Sequence, residues 1–189
     1  MPQPVDSKLL EEHRAAISRR FTKLKRTSPS ILPDQDIINK LEQILPILFS
    51  HGYPQVLTHN DLSSTNILVD QETLEITGIV DWSVAKVLPF GMELFCLSMI
   101  TGYMALDGWH DYTCRDKLHH AFWEEFSSAY TGHGNNSIRL KEAREVVQLA
   151  AKLGALLHFA FQRSADGSPS EEIATSEGLL MFLPVLLAD

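Results

Sequence analysis

Thr58-His59-Asn60-Asp61-Leu62-Ser63-Ser64-Thr65-Asn66-Ile67-Leu68-Val69-Asp70, followed a few residues later by Ile79-Val80-Asp81-Trp82, decides how this chain is read. Asp61 and Asn66 stand five residues apart, and Asp81 lies fifteen beyond Asn66. Ile67-Leu68-Val69 and Ile76-Thr77-Gly78-Ile79-Val80 are short β-branched, apolar runs, with turn-forming Asp70-Gln71-Glu72-Thr73-Leu74 between them. The pattern predicts a hairpin. Asn66 would open one strand and Asp81 would follow the other, so both could face one cleft. A hairpin with merely polar ends, where Asp61 and Asn66 cap turns, explains any one of these residues. It does not explain the whole set in this order.

The chemistry these residue types can support is phosphoryl transfer. A carboxylate such as Asp61 can orient an acceptor hydroxyl or take its proton. A carboxamide oxygen and a second carboxylate, Asn66 and Asp81, are hard oxygen ligands of the kind Mg²⁺ takes. H-x-D-x-x-x-x-N followed by a lone Asp after a strand is the catalytic-loop and metal-loop layout of a kinase fold. Thr58 to Trp82 resembles the C-lobe signature of aminoglycoside phosphotransferase and choline-kinase-like enzymes. The Asp81-Trp82 pair is typical of that group, where protein kinases have Asp-Phe-Gly. Ser63 stands where protein kinases usually carry a Lys, which argues against protein phosphorylation. Leu88-Pro89-Phe90-Gly91-Met92-Glu93-Leu94 resembles the following segment in a branch common in fungi. One departure is Asn60, where the family usually has Gly. The resemblance implies Asp61 as catalytic base, His59 as a brace of the catalytic segment, and Asn66 and Asp81 as ligands of Mg²⁺ and, through it, ATP. It does not name the acceptor, a small molecule with a hydroxyl group.

A kinase of this kind grips ATP between two lobes, and the N-lobe supplies a nucleotide-covering loop and a phosphate-binding Lys. Only 57 residues precede Thr58, and Gly52 is their single glycine. Lys8, Lys23, Lys25 and Lys40 all sit in helical patterns. The expectation is a C-lobe with its N-lobe absent, either a natural short product or a fragment, binding MgATP weakly or not at all. Two functions follow. One is a small-molecule phosphotransferase. The other is a truncated kinase-like protein that no longer transfers phosphate and serves as a binding module or in other acid/base chemistry.

Charge is distributed unevenly. Residues 1 to 26 hold seven Lys/Arg against three Asp/Glu, while the remainder holds nine against 21. The acidic remainder disfavours a nucleic-acid partner. Leu10, Ile17, Phe21 and Leu24 give the basic segment an apolar stripe at helical spacing, so an amphipathic helix docked on an acidic body is expected. An apolar fraction of 44% suits a globular core. Cys96 and Cys114, without a secretory leader, fit free thiols and a cytoplasmic location. No apolar run reaches membrane-spanning length.

The predicted fold class is α+β, mainly α: a protein-kinase-like C-terminal lobe with helices packed on a short β-hairpin. A basic N-terminal helix and linker take residues 1–30, and the kinase-like lobe takes 31–189. Helices are expected over 6–26, 36–49, 91–103, 116–130 and 137–161, with Ser170 capping a last one toward Leu187. Thr27–Ser30 reads as a linker, Pro33-Asp34 as a helix start, and the stretches 131–137 and 166–169 as turns. Trp109, His110, Asp111 and Tyr112 form an aromatic and polar cluster that either lines an acceptor pocket or is an ordinary connection. His119 and His120 are adjacent rather than spaced for a metal. A lobe of this kind should expose apolar surface. The expectation is therefore either a homodimer or a basic helix folded over that surface.

Overall fold

The computed structural model describes residues 2–27, 36–131, 137–164, 167 and 169–188. The predicted linker after Thr27, the Pro33-Asp34 helix start, most of the stretch 131–137 and half of 166–169 lie outside them. Among the described residues no helix is long and apolar enough to cross a membrane.

The architecture is α+β and mainly helical. Helix α1 (Ser7–Thr27) is followed by α2 (Asp36–Leu48). Strand β1 (Gln55–Thr58) precedes a 3₁₀ turn at Ser64–Asn66, the hairpin β2 (Ile67–Val69) and β3 (Ile76–Ile79), a second 3₁₀ turn at Trp82–Val84, and β4 (Lys86–Pro89). Next come α3 (Phe95–Ile100), the hairpin β5 (Gly102–Ala105) and β6 (Gly108–Asp111), and helices α4 (Arg115–Thr131) and α5 (Ser137–Phe159). Strands β7 (Phe161–Arg163) and β8 (Pro169–Ile173) and helices α6 (Glu177–Leu180) and α7 (Leu183–Leu187) complete the order.

The core is helical. Phe21 and Leu24 of α1, Ile38, Leu41 and Leu48 of α2, Leu153 and Leu156 of α5, Phe161 of β7 and Leu183 of α7 are all fully buried in one cluster. The stripe of α1 therefore packs inward as its spacing requires. Charge pairs flank it: Arg19 Nε to Glu171 Oε1 at 2.8 Å and Lys25 Nζ to Glu42 Oε2 at 2.8 Å. Such exposed pairs contribute about 0–1 kcal/mol each, whereas burying one large apolar side chain stabilises by roughly 1.5–3 kcal/mol. The four buried apolar residues of α1, not its charges, hold the helix in place.

The sequence predicted one hairpin; the described residues form four two-stranded antiparallel pairs, β1–β4, β2–β3, β5–β6 and β7–β8. Three predicted helices change as a result. Residues 91–103 are helical only from Phe95 to Ile100. Gly91, at φ +98°, and the turn bonds Met92 N–H to Pro89 O and Leu94 N–H to Gly91 O bend the chain before the helix. Past Ile100, Gly102 lies against Trp109, where a Cβ would come within 2.5 Å of the indole, and this contact closes β5 on β6. The segment Trp109–Tyr112, read as either the lining of an acceptor pocket or a connection, is thus largely the strand β6. Helix α5 stops at Phe159 rather than 161 because Phe161 turns into β7. Ser170 caps no helix; it lies in β8. Phe122, Trp123 and Phe126 of α4 do not enter the core. They are half-buried and pack on one another and on Phe90.

Candidate functional site

The β1–β4 ladder delivers the motif loop. Thr58 lies opposite Lys86, and its Oγ1 donates to Lys86 O at 2.9 Å, so the chain leaves β1 at a fixed point. His59 comes next and is buried. Its backbone N–H donates to Glu93 Oε2 at 2.8 Å, and its ring Nε2 lies 2.7 Å from Val80 O. A carbonyl accepts only, so Nε2 carries the hydrogen. The ring packs on Trp82, with centroids 4.8 Å apart. His59 thereby clamps the loop to the far end of β3.

Asn60 adopts φ +65°, the left-handed region that costs most side chains about 1–2 kcal/mol and that Gly and Asn visit readily. Its Nδ2 donates to Val84 O at 3.2 Å. The substitution of Asn for the expected Gly is accommodated by backbone conformation and adds a hydrogen bond.

Asp61 follows, and its side chain is about half exposed. Asn66 Nδ2 donates to the carbonyl of Asp61 at 2.9 Å, which closes the loop on itself. Val80 N–H donates to Asn66 O at 3.0 Å, and Ile67 lies opposite Ile79. Asn66 and Asp81 therefore sit at the same end of the β2–β3 hairpin. The turn at the other end is held by Asp70, whose Oδ1 accepts from the N–H groups of Glu72 and Thr73 at 2.9 and 2.8 Å. These bonds hold its carboxyl below the usual carboxylate range. Asp81 is exposed, has φ +62°, and accepts from Ser83 Oγ at 2.7 Å.

Two further residues complete the surroundings. Glu93 is tied to the loop through His59, and its second oxygen, Oε1, is buried without a hydrogen-bond partner among the described residues, as is His59 Nδ1. Arg163, at the end of β7, reaches across more than a hundred residues of sequence. Its Nη2 donates to Asn60 O at 2.9 Å, its Nη1 to Asp61 Oδ1 at 3.2 Å, and its Nε to Gly167 O at 3.2 Å. No sequence motif marked Arg163. It was reachable only through the β7–β8 pairing that presents it.

Trp109, His110, Asp111 and Tyr112 are not brought to the motif loop by any contact among the described residues. Trp109 Nε1 donates to Asp111 Oδ1 at 2.6 Å, and Arg115 Nη1 pairs with Asp111 Oδ2 at 2.5 Å. Both bonds lower the Asp111 carboxyl, the Trp109 bond most. His110 pairs with Asp107 at 2.8 Å and stacks on Tyr103. Trp109 and Asp111 line a cleft of about 760 Å³ whose walls include none of Asp61, Asn66 or Asp81. His120 pairs with Glu124 on the surface of α4, and His119 is partly buried beside Thr101.

The profile of the phosphotransferase enzyme family matches residues 3–130, from the start of α1 to the end of α4. The chain belongs to the phosphotransferase enzyme family. No curated protein and no solved structure matches it. The family match takes in α1 together with the whole motif hairpin, β4, and β5–β6.

Members of this family generally use ATP and Mg²⁺. Among the described residues there is no cluster of three or more His, Cys, Asp or Glu side chains that could hold a metal. The candidate donors are Asn66 Oδ1, whose amide nitrogen is already committed to Asp61 O, and the exposed carboxylate of Asp81. Two hard oxygens of this kind suit Mg²⁺, which keeps much of its shell from water and substrate phosphate. They would not suffice for a softer metal that takes all its ligands from protein.

Proposed function

We propose that this phosphotransferase-family chain acts as a small-molecule phosphotransferase that moves the γ-phosphoryl group of ATP to a hydroxyl of a small metabolite, on a kinase-like C-lobe. The observation that carries the proposal is the hydrogen-bonded closure of the motif loop. Asn66 Nδ2 holds Asp61 O, Val80 N–H holds Asn66 O, and His59 Nε2–H holds Val80 O. These three bonds tether the backbone of Asp61, Asn66 and Val80, the neighbour of Asp81, at one end of one hairpin.

In this reading Asp61 accepts a hydrogen bond from the acceptor hydroxyl and takes its proton as the new P–O bond forms and the bond from the γ-phosphorus to the departing ADP oxygen breaks. Catalysis of this kind rests on positioning and charge stabilisation more than on covalent chemistry. His59 stands behind the loop as a positioning residue, its Nε2 spent on Val80. Asn66 and Asp81 would hold Mg²⁺, which when bound neutralises phosphate charge. Arg163 fixes the Asp61 carboxylate by a bond to each of two adjacent residues. Among the described residues ahead of Thr58 there is no glycine-rich strand pair with a phosphate-binding Lys, so the 189 residues by themselves should bind nucleotide weakly and turn over slowly.

One observation favours the alternative, a kinase-like binding module that no longer transfers phosphate: the cation of Arg163 stands on the very carboxylate that must take the proton. Calorimetric titration with MgATP, followed by phosphate transfer to a panel of alcohols, tests the proposal. Asp61→Asn should abolish transfer, and Arg163→Gln should lower it while the protein stays folded. Faster transfer in Arg163→Gln, or transfer that survives in Asp61→Asn, would refute the assignment of roles.

A further inference from the structure

A cavity of about 500 Å³ lies between α1, β4, α5 and the β7–β8 turn. Asn60, which adjoins Asp61, and Arg163, which bonds it, stand on its wall, so the cavity borders the motif loop. Much of its body is apolar, with Ile17, Leu88, Met92 and Leu157 among the lining side chains. Packed protein interiors leave few voids larger than a water molecule, and a water held in such a void needs roughly two to four polar partners. Aliphatic walls supply none. The volume falls in the range of small-molecule sites, whose usual make-up is an apolar body with a few polar groups.

Rings set these walls apart. His13 of α1, Phe49 just beyond α2, Phe95 of α3 and His158 of α5 all line the cavity. They come in two touching pairs. His13 meets Phe49 edge-on with centroids 6.4 Å apart, and Phe95 lies 5.2 Å from His158 at an interplanar angle of 53°. Phe49 is buried, while the other three are only partly buried, so protein does not close off their surfaces. Aromatic rings gain from edge-to-face and offset contact with a further ring, beyond what the buried area alone supplies. His158 adds a polar handle. Its contacts among the described residues are with the rings of Phe95 and Phe159, and neither of its ring nitrogens has a hydrogen-bond partner among them. Burial lowers it to about 4, so near pH 7 it is neutral and offers one N–H donor and one acceptor nitrogen. Asp61 and Arg163 both act on its charge, which places it on the motif-loop side of the cavity.

We propose that this cavity binds a hydroxylated aromatic molecule, with its ring among His13, Phe49, Phe95 and His158 and its hydroxyl donating to the His158 imidazole. Shape and ring chemistry, not charge, select this occupant. Asp61, Asn66 and Asp81 are not among the described residues on the walls, so the site stands apart from the phosphotransferase reading.

The test uses the full chain without nucleotide. Binding of 4-propylphenol, its saturated counterpart 4-propylcyclohexanol and its methyl ether 4-propylanisole is followed by ligand-observed NMR. These three uncharged probes are of similar size and differ in the ring or in the hydroxyl. The phenol should bind roughly fivefold or more tightly than the cyclohexanol, for want of ring contacts in the latter. It should bind about tenfold more tightly than the ether, which has no hydrogen to donate. His158→Phe keeps a ring and removes both nitrogens, and it should weaken the phenol about tenfold while leaving the ether unchanged. Ala16 also lines the cavity, and Ala16→Trp, its fold checked by circular dichroism, should fill the space and abolish binding of all three probes. Equal binding of the phenol and its saturated counterpart, no binding of the phenol at millimolar concentration, or phenol affinity indifferent to His158→Phe would overturn the proposal. So would binding that survives in folded Ala16→Trp. Phosphate transfer is assayed separately. Ring-selective binding without transfer leaves this site standing and counts against the phosphotransferase reading alone.

Discussion

Replacing Gly154 by alanine should unfold this protein more easily, and the size of the effect follows from one contact. Gly154 lies in the C-terminal part of α5, buried, with the backbone of Met92 against it. A Cβ added there would fall 1.6 Å from Met92 O and 2.7 Å from Met92 C. Non-bonded heavy atoms settle near 3.5 Å, so the helix or the Gly91–Leu94 turn must retreat by on the order of 2 Å. The obstacle is main chain rather than the tip of a flexible side chain, so no rotamer change relieves it. Overpacking a tight core costs about 1–3 kcal/mol and at times more, and this clash belongs at the top of that range. Alanine gains back about 1 kcal/mol of helix propensity over glycine. The net loss should therefore be about 2 kcal/mol or more, a fall in Tm of roughly 4–8 °C for a chain of this size. Urea unfolding read by circular dichroism gives the midpoint and slope. Gly52→Ala is the control, since a Cβ there meets nothing within 4 Å. An unchanged or raised midpoint in Gly154→Ala, with Gly52→Ala behaving as expected, would show that α5 does not approach Met92 as closely as described. Because Glu93 adjoins Met92 and holds the His59 N–H, the same substitution should also loosen the motif loop.

Other outcomes can be checked with less machinery. Asp81→Ala should remove both transfer activity and its dependence on Mg²⁺, as read by phosphate transfer across a magnesium series. Asn60→Gly should leave the unfolding midpoint within about 0.5 kcal/mol of its starting value, whereas Asn60→Val should lose about 1–2 kcal/mol or more, because φ +65° is costly for a β-branched residue. Acidification should destabilise the fold before most carboxylates titrate. Burial lowers His158 from 6.5 to about 4, so the unfolded chain takes up the proton first. The stability this residue contributes is complete above pH 6.5 and is lost as the pH falls toward 4, by up to about 3 kcal/mol. His158→Leu should flatten that slope in midpoints measured from pH 7.5 to 4.5, and an unaltered slope would rule His158 out as its source.

The motif hairpin was legible because its signals are local. β-Branched runs of period two, a turn opened by Asp70, and polar residues at both ends each depend on neighbours in sequence, and together they located Asn66 and Asp81. The stripe of α1 was legible for the same reason. What escaped was set by distant partners. Gly102 looks like the end of an apolar helix until Trp109 lies on it. Gln55–Thr58 becomes a strand only because Lys86–Pro89 runs beside it. Arg163 carries no signature at all and gains its place through the β7–β8 pair. Asn60 shows the converse: the residue was noticed as a departure, and only its left-handed backbone explains why that departure is tolerated.

The β2–β3 hairpin has its apolar side chains largely in water: Leu68 and Val69 are each 48% exposed, Leu74 77% and Ile76 66%. Isolated two-stranded hairpins are marginally stable, and protection from opening comes mainly from burial. The element that brings Asn66 and Asp81 together should thus be among the first to open and among the fastest to exchange its amide hydrogens, while the α2–α5 core stays closed. Opening separates Asn66 from Asp81, so in the proposed function hairpin closure and site assembly are a single equilibrium. Whatever binds the closed form draws that equilibrium toward itself in proportion to its concentration over its dissociation constant. Exchange protection at Ile67, Leu68 and Ile79 would then report occupancy of a site that lies beside those amides, without any label on the ligand.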